Sequence, residues 1–324
     1  MKTKEKNLKI SISIVLPCHN EVEVLDSTHK KLVELIEVWK NDIVSEYEII
    51  MVNNGSTDDT LLKMLELQEK NNNIVILDLR RNFGYQGSIT AGLYNSQKEV
   101  VVSIDADLQD DPEKIYDMIL KYKEGYDLVL GVRSDRSTDT LLKRVTAYLY
   151  YRVLKVFGIK SVANHGDFRL ISRVLLKDLK RYGEKNRYLR GLIFELESKY
   201  ACVYYKRTSR KAGKTKFKPF QLFSLAWDGI TSFSNMPIKI VLIFGLILFL
   251  ISLLGMVYVF IIKFVYQQIV PGWASILTLF LFFSGIQSLF LGLIGEYISK
   301  IFIEVKQRPI YLIRKKYTKE KQSQ

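Results

Sequence analysis

The chain has 324 residues, 48% of them apolar, with a formal charge of +14 at pH 7 and an isoelectric point near 9.5. One soluble domain of ordinary size does not use up that length, so something besides a single globule is expected. The two cysteines, Cys18 and Cys202, lie far apart in sequence, which argues against a disulfide framework or a thiolate metal site and suits a reducing compartment.

The N-terminus, MKTKEKNLKISISIVLP, is basic and then apolar, as a signal peptide is. Its apolar part is short, alternates at Ile10, Ile12 and Ile14 before Pro17, and is followed by no small-residue cleavage site; that pattern predicts a strand. Further strands are expected at 47–52, 74–79, 99–104 and 127–132, after a first at 10–16. The segments between them carry helical spacing, at Val24, Leu25, Thr28, Leu32, Leu35 and Ile36 in one and at Leu61, Leu62, Met64, Leu65 and Leu67 in the next. Such alternation predicts a Rossmann-like α/β domain with a mostly parallel sheet. Ligands of such sheets bind beyond the carboxyl ends of the strands. Polar clusters sit at those ends: CHNE, NNGSTDD, RNFGYQ, DADLQDD and RSDR, one after each strand in turn. No internal repeat or low-complexity linker is visible.

After residue 238 the composition changes. The runs 240–262 and 273–294 are uncharged, and each is long enough to cross a bilayer as a helix. KFVYQQIVPG between them holds one lysine, whereas Lys and Arg crowd the segment before the first run and the tail IRKKYTKEK after the second. The positive-inside rule then predicts a hairpin through the cell membrane with both flanks cytoplasmic. The expected division is a cytoplasmic α/β domain over 1–216, a juxtamembrane amphipathic helix over 217–237 around Trp227, two spans within 238–305 (240–262 and 273–295), and a basic tail over 306–324. The 217–237 segment reads equally as an interfacial helix or a packed core helix. The aromatic and basic stretch from Ala147 to Phe157 offers the same surface role. The basic charge gathers beside the spans and no aromatic-basic RNA motif appears, so anionic lipids and diphosphate ligands account for it, not nucleic acid.

A mostly apolar strand run ending VSI (102–104) leads straight into DADLQDDPE. Asp105 and Asp107 flank the small Ala106 just where the strand leaves the sheet, a placement that suits a divalent cation held between the protein and a diphosphate. Mg²⁺ and Mn²⁺ prefer carboxylate, carbonyl and phosphate oxygens, and Gln109 offers an amide oxygen beside the pair. Asp110, Asp111 and Glu113 around Pro112 read as an ordinary helix start. A D-x-D pattern alone is weak evidence; its place at a strand end strengthens it.

PCHNE, VNNGSTD, RNFGYQGSITAGL, DADLQDDPE, GDFRL, YLRGL, AGKTKF and GEYISKIFIEVKQRP, in this order, resemble a family 2 glycosyltransferase. Within it the chain is most similar to the polyprenyl-phosphate glycosyltransferases, which include dolichyl-phosphate mannose synthase and the bactoprenol glucosyltransferases, and the resemblance runs over nearly the whole chain. It implies a GT-A fold and an inverting, metal-dependent transfer from a nucleotide sugar to a polyprenyl phosphate, such as undecaprenyl phosphate, at the cytoplasmic membrane face. By the same resemblance Pro17, His19, Glu21, Asn54, Asp105 and Ala106 bind the nucleotide sugar, and Asp105, Asp107 and Gln109 hold Mg²⁺ or Mn²⁺. Asp107 and Asp167 stand at catalytic positions, the latter that of the base, and Arg133, Arg210 and Lys216 bind phosphate. UDP-glucose is the first choice of donor, with N-acetylglucosamine, galactose and mannose donors open, and homo-oligomerisation is left open.

Elementary chemistry modifies this picture. A phosphate monoester has its second pKa near 6, so the acceptor oxygen is already ionised at neutral pH and hardly needs a base. Asp167 is therefore expected to hold Arg169 or a donor-sugar hydroxyl as much as it takes a proton, which leaves base and orienter both open. The anionic acceptor needs a cationic clamp, drawn from Arg133, Arg136, Arg144, Arg187, Arg190, Arg210 and Lys216. Two departures from the family pattern stand out: Asn53 and Asn54 where Asp is common at the second position, and His19 where Tyr is common. Competing functions fare less well. A processive synthase would resemble its kind in a Gln-x-x-Arg-Trp motif, and none of Trp39, Trp227 and Trp273 follows an arginine. A transport role lacks an ionisable residue inside the spans. Transfer to a glycerolipid or ceramide hydroxyl would need a true general base and fewer cations.

Overall fold

A computed structural model describes residues 9–134, 152, 162, 164–185, 189–197, 199–207, 231, 236–264 and 272–319. The first half alternates as expected: β1 (Ile10–Cys18), α1 (Val22–Lys40), β2 (Val44–Asn53), α2 (Thr60–Lys70), β3 (Ile74–Leu79), α3 (Gly84–Asn95), β4 (Val100–Ser103), α4 (Lys114–Lys123) and β5 (Leu128–Arg133). There follow β6 (His165–Ser172), α5 (Arg173–Arg181), α6 (Leu189–Leu196), β7 (Tyr200–Tyr205), two long helices, α7 (Met236–Phe264) and α8 (Trp273–Lys306), and a last strand, β8 (Ile313–Tyr317).

All eight strands form one sheet in the order β7-β5-β6-β4-β1-β2-β3-β8. The stretch β4-β1-β2-β3 is parallel throughout, and β6 enters antiparallel between β4 and β5. That reversal positions the site. Because β6 runs against its neighbours, its first residues lie at the carboxyl ends of β4 and β5, with His165 opposite Val132 and Arg169 opposite Ser103.

Alternation along β1 divides the core between the two faces of the sheet. Ile12, Ile14 and Leu16 pack with Leu25, Leu32 and Ile36 of α1, while Val15 faces Ile89, Ala91 and Leu93 of α3. Helix α3 lies against the sheet at Gly92, where an added Cβ would overlap Val15 Cγ1 and stand 3.2 Å from Val52 Cγ2. Overpacking a filled core costs typically about 1–3 kcal/mol. Gly92→Ala is therefore expected to destabilise by that amount, read as a lower midpoint in chemical denaturation, although alanine is the better helix former.

The long helices bear exposed apolar side chains, such as Leu242, Leu254, Phe280 and Leu289. Among the described residues one segment, Phe282–Lys306, is long and apolar enough to cross a membrane by length and composition, and Met236–Leu248 is a shorter apolar segment. The two spans expected from sequence are thus represented by one candidate, which lies nearer the C-terminus than 273–295. Helices α7 and α8 touch through an edge-on pair, Phe244 and Phe290, with ring centroids 6.0 Å apart.

The segment read as a basic tail supplies β8, antiparallel to β3 at the sheet edge. Its IRKKY sequence alternates poorly and carries three cations, which hid it as a strand. Most of the expected juxtamembrane segment, including Trp227, and the stretch from Ala147 to Phe157 apart from Arg152 lie outside the described residues.

Candidate active site

The loop after β4 is fixed from both sides. The amide of Ile104 donates to the carbonyl of Val15 at 3.1 Å, and Thr28 Oγ1 of α1 donates to the carbonyl of Ala106 at 2.6 Å. Leu108 holds a left-handed φ of 54°, rare for a leucine, and the sharp turn lets Asp107 Oδ1 accept from the amide of Gln109 at 3.1 Å. Asp105 accepts from Tyr85 Oη at 2.8 Å. Burial, together with the charges of Asp110, Asp167 and Asp107, pushes the Asp105 carboxyl up to about 7 against the opposing effect of the Tyr85 hydrogen bond. A divalent cation relieves such crowding, and the donor set, carboxylates with an amide nearby, is one a hard cation accepts. Gln109 Oε1, however, accepts from Arg207 Nη2 at 2.6 Å, so the oxygen expected on the metal is engaged by an arginine.

Asp167 sits one pleat into β6 and is buried between two arginines. Arg169 Nη2 donates to its Oδ1, and Arg190 of α6 donates to Oδ2 through Nη2 at 2.8 Å and Nε at 3.2 Å. Burial alone would raise the Asp167 pKa, but Arg190 and Arg169 outweigh it and hold the carboxyl well below the usual range. A carboxylate bound on both oxygens and this acidic is a poor proton acceptor and a good orienting group. The expected Asp167–Arg169 contact is present; the second arm, Arg190, stood in sequence only as one of several clamp candidates.

Asp110 departs from its expected role. It is 1% exposed and accepts from Tyr205 Oη at 2.5 Å, while Arg133 Nη2 stands 3.6 Å from the same Oδ1 and Arg133 Nε donates to Tyr205 Oη at 3.4 Å. It anchors β5 and β7 rather than starting a helix. Asp111 does take the turn expected of it, accepting from the amide of Glu113 at 3.0 Å. The missing signal was distance, because Asp110 meets its partner Tyr205 only through the sheet.

Three loops at the far side are joined by hydrogen bonds. His19 Nδ1 lies 3.0 Å from the carbonyl of Asn54 and Nε2 lies 3.2 Å from Asn82 Nδ2, which fits a neutral ring with its proton on Nδ1. Asn54 Oδ1 accepts from the amide of Phe83 at 2.9 Å, and its Nδ2 donates to Asn82 Oδ1 and to the carbonyl of Gly84. An aspartate there would set its charge against two oxygen acceptors, a physical reason for Asn54 in this chain. Asn53 Nδ2 donates to Asp78 Oδ1 at 2.8 Å, and Asn53 Oδ1 accepts from the amide of Ser56. Gly55, at φ 62°, is required twice over, since a Cβ would also lie 2.5 Å from the nitrogen of Asn82.

Pro17, His19, Glu21, Asn54, Asp105, Ala106, Asp107, Gln109, Arg133 and Asp167 thus gather along one edge of the sheet, although Ala106 is buried and Asn54 uses its amide inside the protein. Arg210 and Lys216, like Arg136, Arg144 and Arg187, lie outside the described residues. Sequence reasoning assigned no role to Tyr85 or Arg207. Tyr85 stood inside a quoted motif, and the glycine before it, which opens a helix toward the neighbouring strand end, was the available signal. Among the described residues no group of three or more His, Cys, Asp or Glu side chains converges as a metal site.

The model described as glycosyl transferase family 2 matches residues 13–180. The chain is 40% identical over 312 residues to an uncharacterized glycosyltransferase, YkcC, of Bacillus subtilis strain 168, covering 95% of this chain and 94% of that one. It is 38% identical over 309 residues to the bactoprenol glucosyl transferase of Shigella phage SfII, covering 95% of this chain and 99% of the phage protein. An uncharacterized glycosyltransferase, sll0501, of Synechocystis is 38% identical over 307 residues, 94% of this chain and 95% of its own. With a mixed α/β GT-A-like sheet, paired aspartates at the end of its fourth strand and these relatives along almost its full length, the chain belongs to glycosyltransferase family 2.

Proposed function

We propose that this enzyme transfers a hexose, glucose first among the choices, from a uridine diphosphate sugar to the phosphate of a polyprenol at the cytoplasmic face of the cell membrane, with inversion at the anomeric carbon. The observation that carries the reading is the 38% identity over 99% of a bactoprenol glucosyl transferase, a likeness that takes in the catalytic domain and the C-terminal helices together.

Asp105 and Asp107 are the residues that would hold Mg²⁺ or Mn²⁺, joined by Gln109 if Arg207 releases it. When bound, the cation neutralises charge on the departing diphosphate. On the acceptor side, Arg133 and Arg190 are the described cations proposed for the clamp; the charge of Arg190 acts on Arg133, and an anion bound near both would ease that repulsion. Asp167 fixes Arg190 in that arrangement. A phosphate oxygen of the acceptor, already ionised, attacks the anomeric carbon. The bond from that carbon to the diphosphate breaks, and its electron pair leaves with UDP. No proton changes place, which suits an Asp167 that is too acidic to take one. Arg210 and Lys216 are proposed to complete the clamp.

The membrane hairpin is part of the same proposal. Strand β8 lies in the same sheet as β1 to β7, so if the chain between β7 and β8 crosses a bilayer, an even number of crossings is needed to bring it back. If α8 crosses through Phe282–Lys306, α7 supplies the return, which is the expected hairpin with both flanks cytoplasmic. Membrane lipids then surround the exposed apolar side chains of both helices.

A donor panel tests the reading. Purified protein in detergent is given undecaprenyl phosphate, Mn²⁺ or Mg²⁺, and radiolabelled UDP-glucose, UDP-N-acetylglucosamine, UDP-galactose or GDP-mannose. Label entering the organic phase from one UDP-sugar, and lost with EDTA, is expected; folded protein that transfers from none of them would overturn the assignment.

A further inference from the structure

The chain that leaves α8 returns at once to the catalytic sheet. Residues 307–312 separate the helix from β8, and at no more than about 3.6 Å per residue the seven steps from Lys306 to Ile313 keep the end of α8 within about 25 Å of the sheet edge. The return is held at many points. The amide of Arg80 donates to the carbonyl of Leu312 at 2.9 Å, Gln68 Nε2 donates to the carbonyl of Tyr317 at 3.0 Å, and Lys319 Nζ donates to the carbonyl of Glu69 at 3.0 Å. Tyr311 and Ile313 pack on the α3 side of the core. Glu304, two residues before the end of α8, accepts from the amide of Lys185 at 2.8 Å.

Two contacts of this strap lead to the loops beside the paired aspartates. At the register shift between β3 and β8, Arg314 Nη2 donates to the carbonyl of Arg80 at 2.9 Å while its Nη1 lies 3.8 Å from Asp78 Oδ2. The other oxygen of Asp78 holds Asn53, and Asn53 holds the amide of Ser56 in the NNGS turn. Farther up, the carbonyl of Ile310 crosses α3 at Gly87, 3.2 Å from where a Cβ would stand, and Asn95 Nδ2 donates to Tyr311 Oη at 3.4 Å. Gly87 is two residues from Tyr85, whose hydroxyl holds Asp105.

We propose that residues 307–319 are a positioning element of the donor site: seated on β3 and α3, they set the NNGS turn through Arg314, Asp78 and Asn53, and set Asp105 through α3 and Tyr85. The proposal rests on the reading that a uridine diphosphate binds beside these loops. It ties nucleotide affinity to the cytoplasmic end of the membrane helix. A strand that merely covered the β3 edge against aggregation would also be retained, but its loss would leave nucleotide affinity alone.

The test uses full-length protein in detergent, with UDP and Mn²⁺ titrated calorimetrically and initial rates taken in parallel. Arg314→Ala is expected to weaken UDP binding by about threefold to fivefold, the range of a partly exposed ion pair, with the donor KM rising and kcat unchanged; Arg314→Lys is expected to restore most of it. Ile313→Asp, which puts a carboxylate into the apolar seat and releases the strap, is expected to weaken binding tenfold or more. Release is read by new trypsin cleavage at Arg314 to Lys319. Wild-type UDP affinity in both Arg314→Ala and a strap-released Ile313→Asp would overturn the proposal; if Ile313→Asp fails to fold, the Arg314 pair decides alone. Wild-type protein that binds no UDP would instead refute the donor-site reading, and the strap's role with it.

Discussion

Asparagine in place of Asp167 is expected to lower the transfer rate by about 10²-fold, the scale on which misplacing a catalytic arrangement by an ångström acts. The substitution removes the charge that both Arg169 and Arg190 face, and leaving buried ionic partners unmatched costs typically about 3–5 kcal/mol of stability. The pH dependence separates orientation from base catalysis. Arg190 and Arg169 hold the Asp167 carboxyl below its ordinary value. Its contribution to stability is therefore complete above the unfolded carboxylate pKa of about 4, and is lost only as pH falls from there through the lower folded value. Between pH 5 and 9 Asp167 does not titrate. The variant's pH-rate profile should keep the wild-type shape with a lower plateau, and its stability deficit should persist across that range and shrink below about pH 4. Activity rescued selectively at high pH would point to a lost base and contradict the orienting role.

The second large effect is at the paired aspartates. Asp107→Asn keeps an oxygen for the amide of Gln109, so the turn at Leu108 is retained, while the charge is removed. Transfer is expected to fall by about 10²–10³-fold, in line with the loss of one electrostatic contact to a developing anion, and Mn²⁺ affinity measured by calorimetry should fall with it. A variant that loses rate while binding Mn²⁺ as tightly as wild type would move Asp107 out of the metal site and into contact with the sugar.

How much of this was legible in the chain follows from the range of the contacts. Strands β1 to β5 and the helices between them were visible because each buries a local pattern: Ile12, Ile14 and Leu16 toward one face, Val15 toward the other. The strand-end positions of His19, Asn54, Asp105 and Arg133 followed directly, since a parallel sheet places all such ends on one edge. Strands β6 to β8 were not foreseen. HGDFRLIS interrupts its apolar positions with Asp167 and Arg169, which satisfy each other only once folded, and IRKKY is an edge strand whose outward face is basic. The same range limit governed the site. Asp110 is an anchor for Arg133 and Tyr205 that no window of local sequence contains, and Asn54 resembled a nucleotide-sugar-binding position while its amide closes the turn at Gly84.

The acceptor is the central claim, and the nature of the labelled lipid tests it most directly. UDP-[¹⁴C]glucose, or whichever donor the panel selects, is incubated with enzyme and Mn²⁺ and, in separate reactions, undecaprenyl phosphate, undecaprenol or diacylglycerol, and each organic-phase product is treated with mild acid. The account predicts label only with undecaprenyl phosphate, in a phosphodiester that releases free sugar in mild acid. An acid-resistant glycoside formed on undecaprenol or diacylglycerol would contradict it, because a hydroxyl acceptor needs the base that Asp167, clamped between two arginines, is too acidic to be.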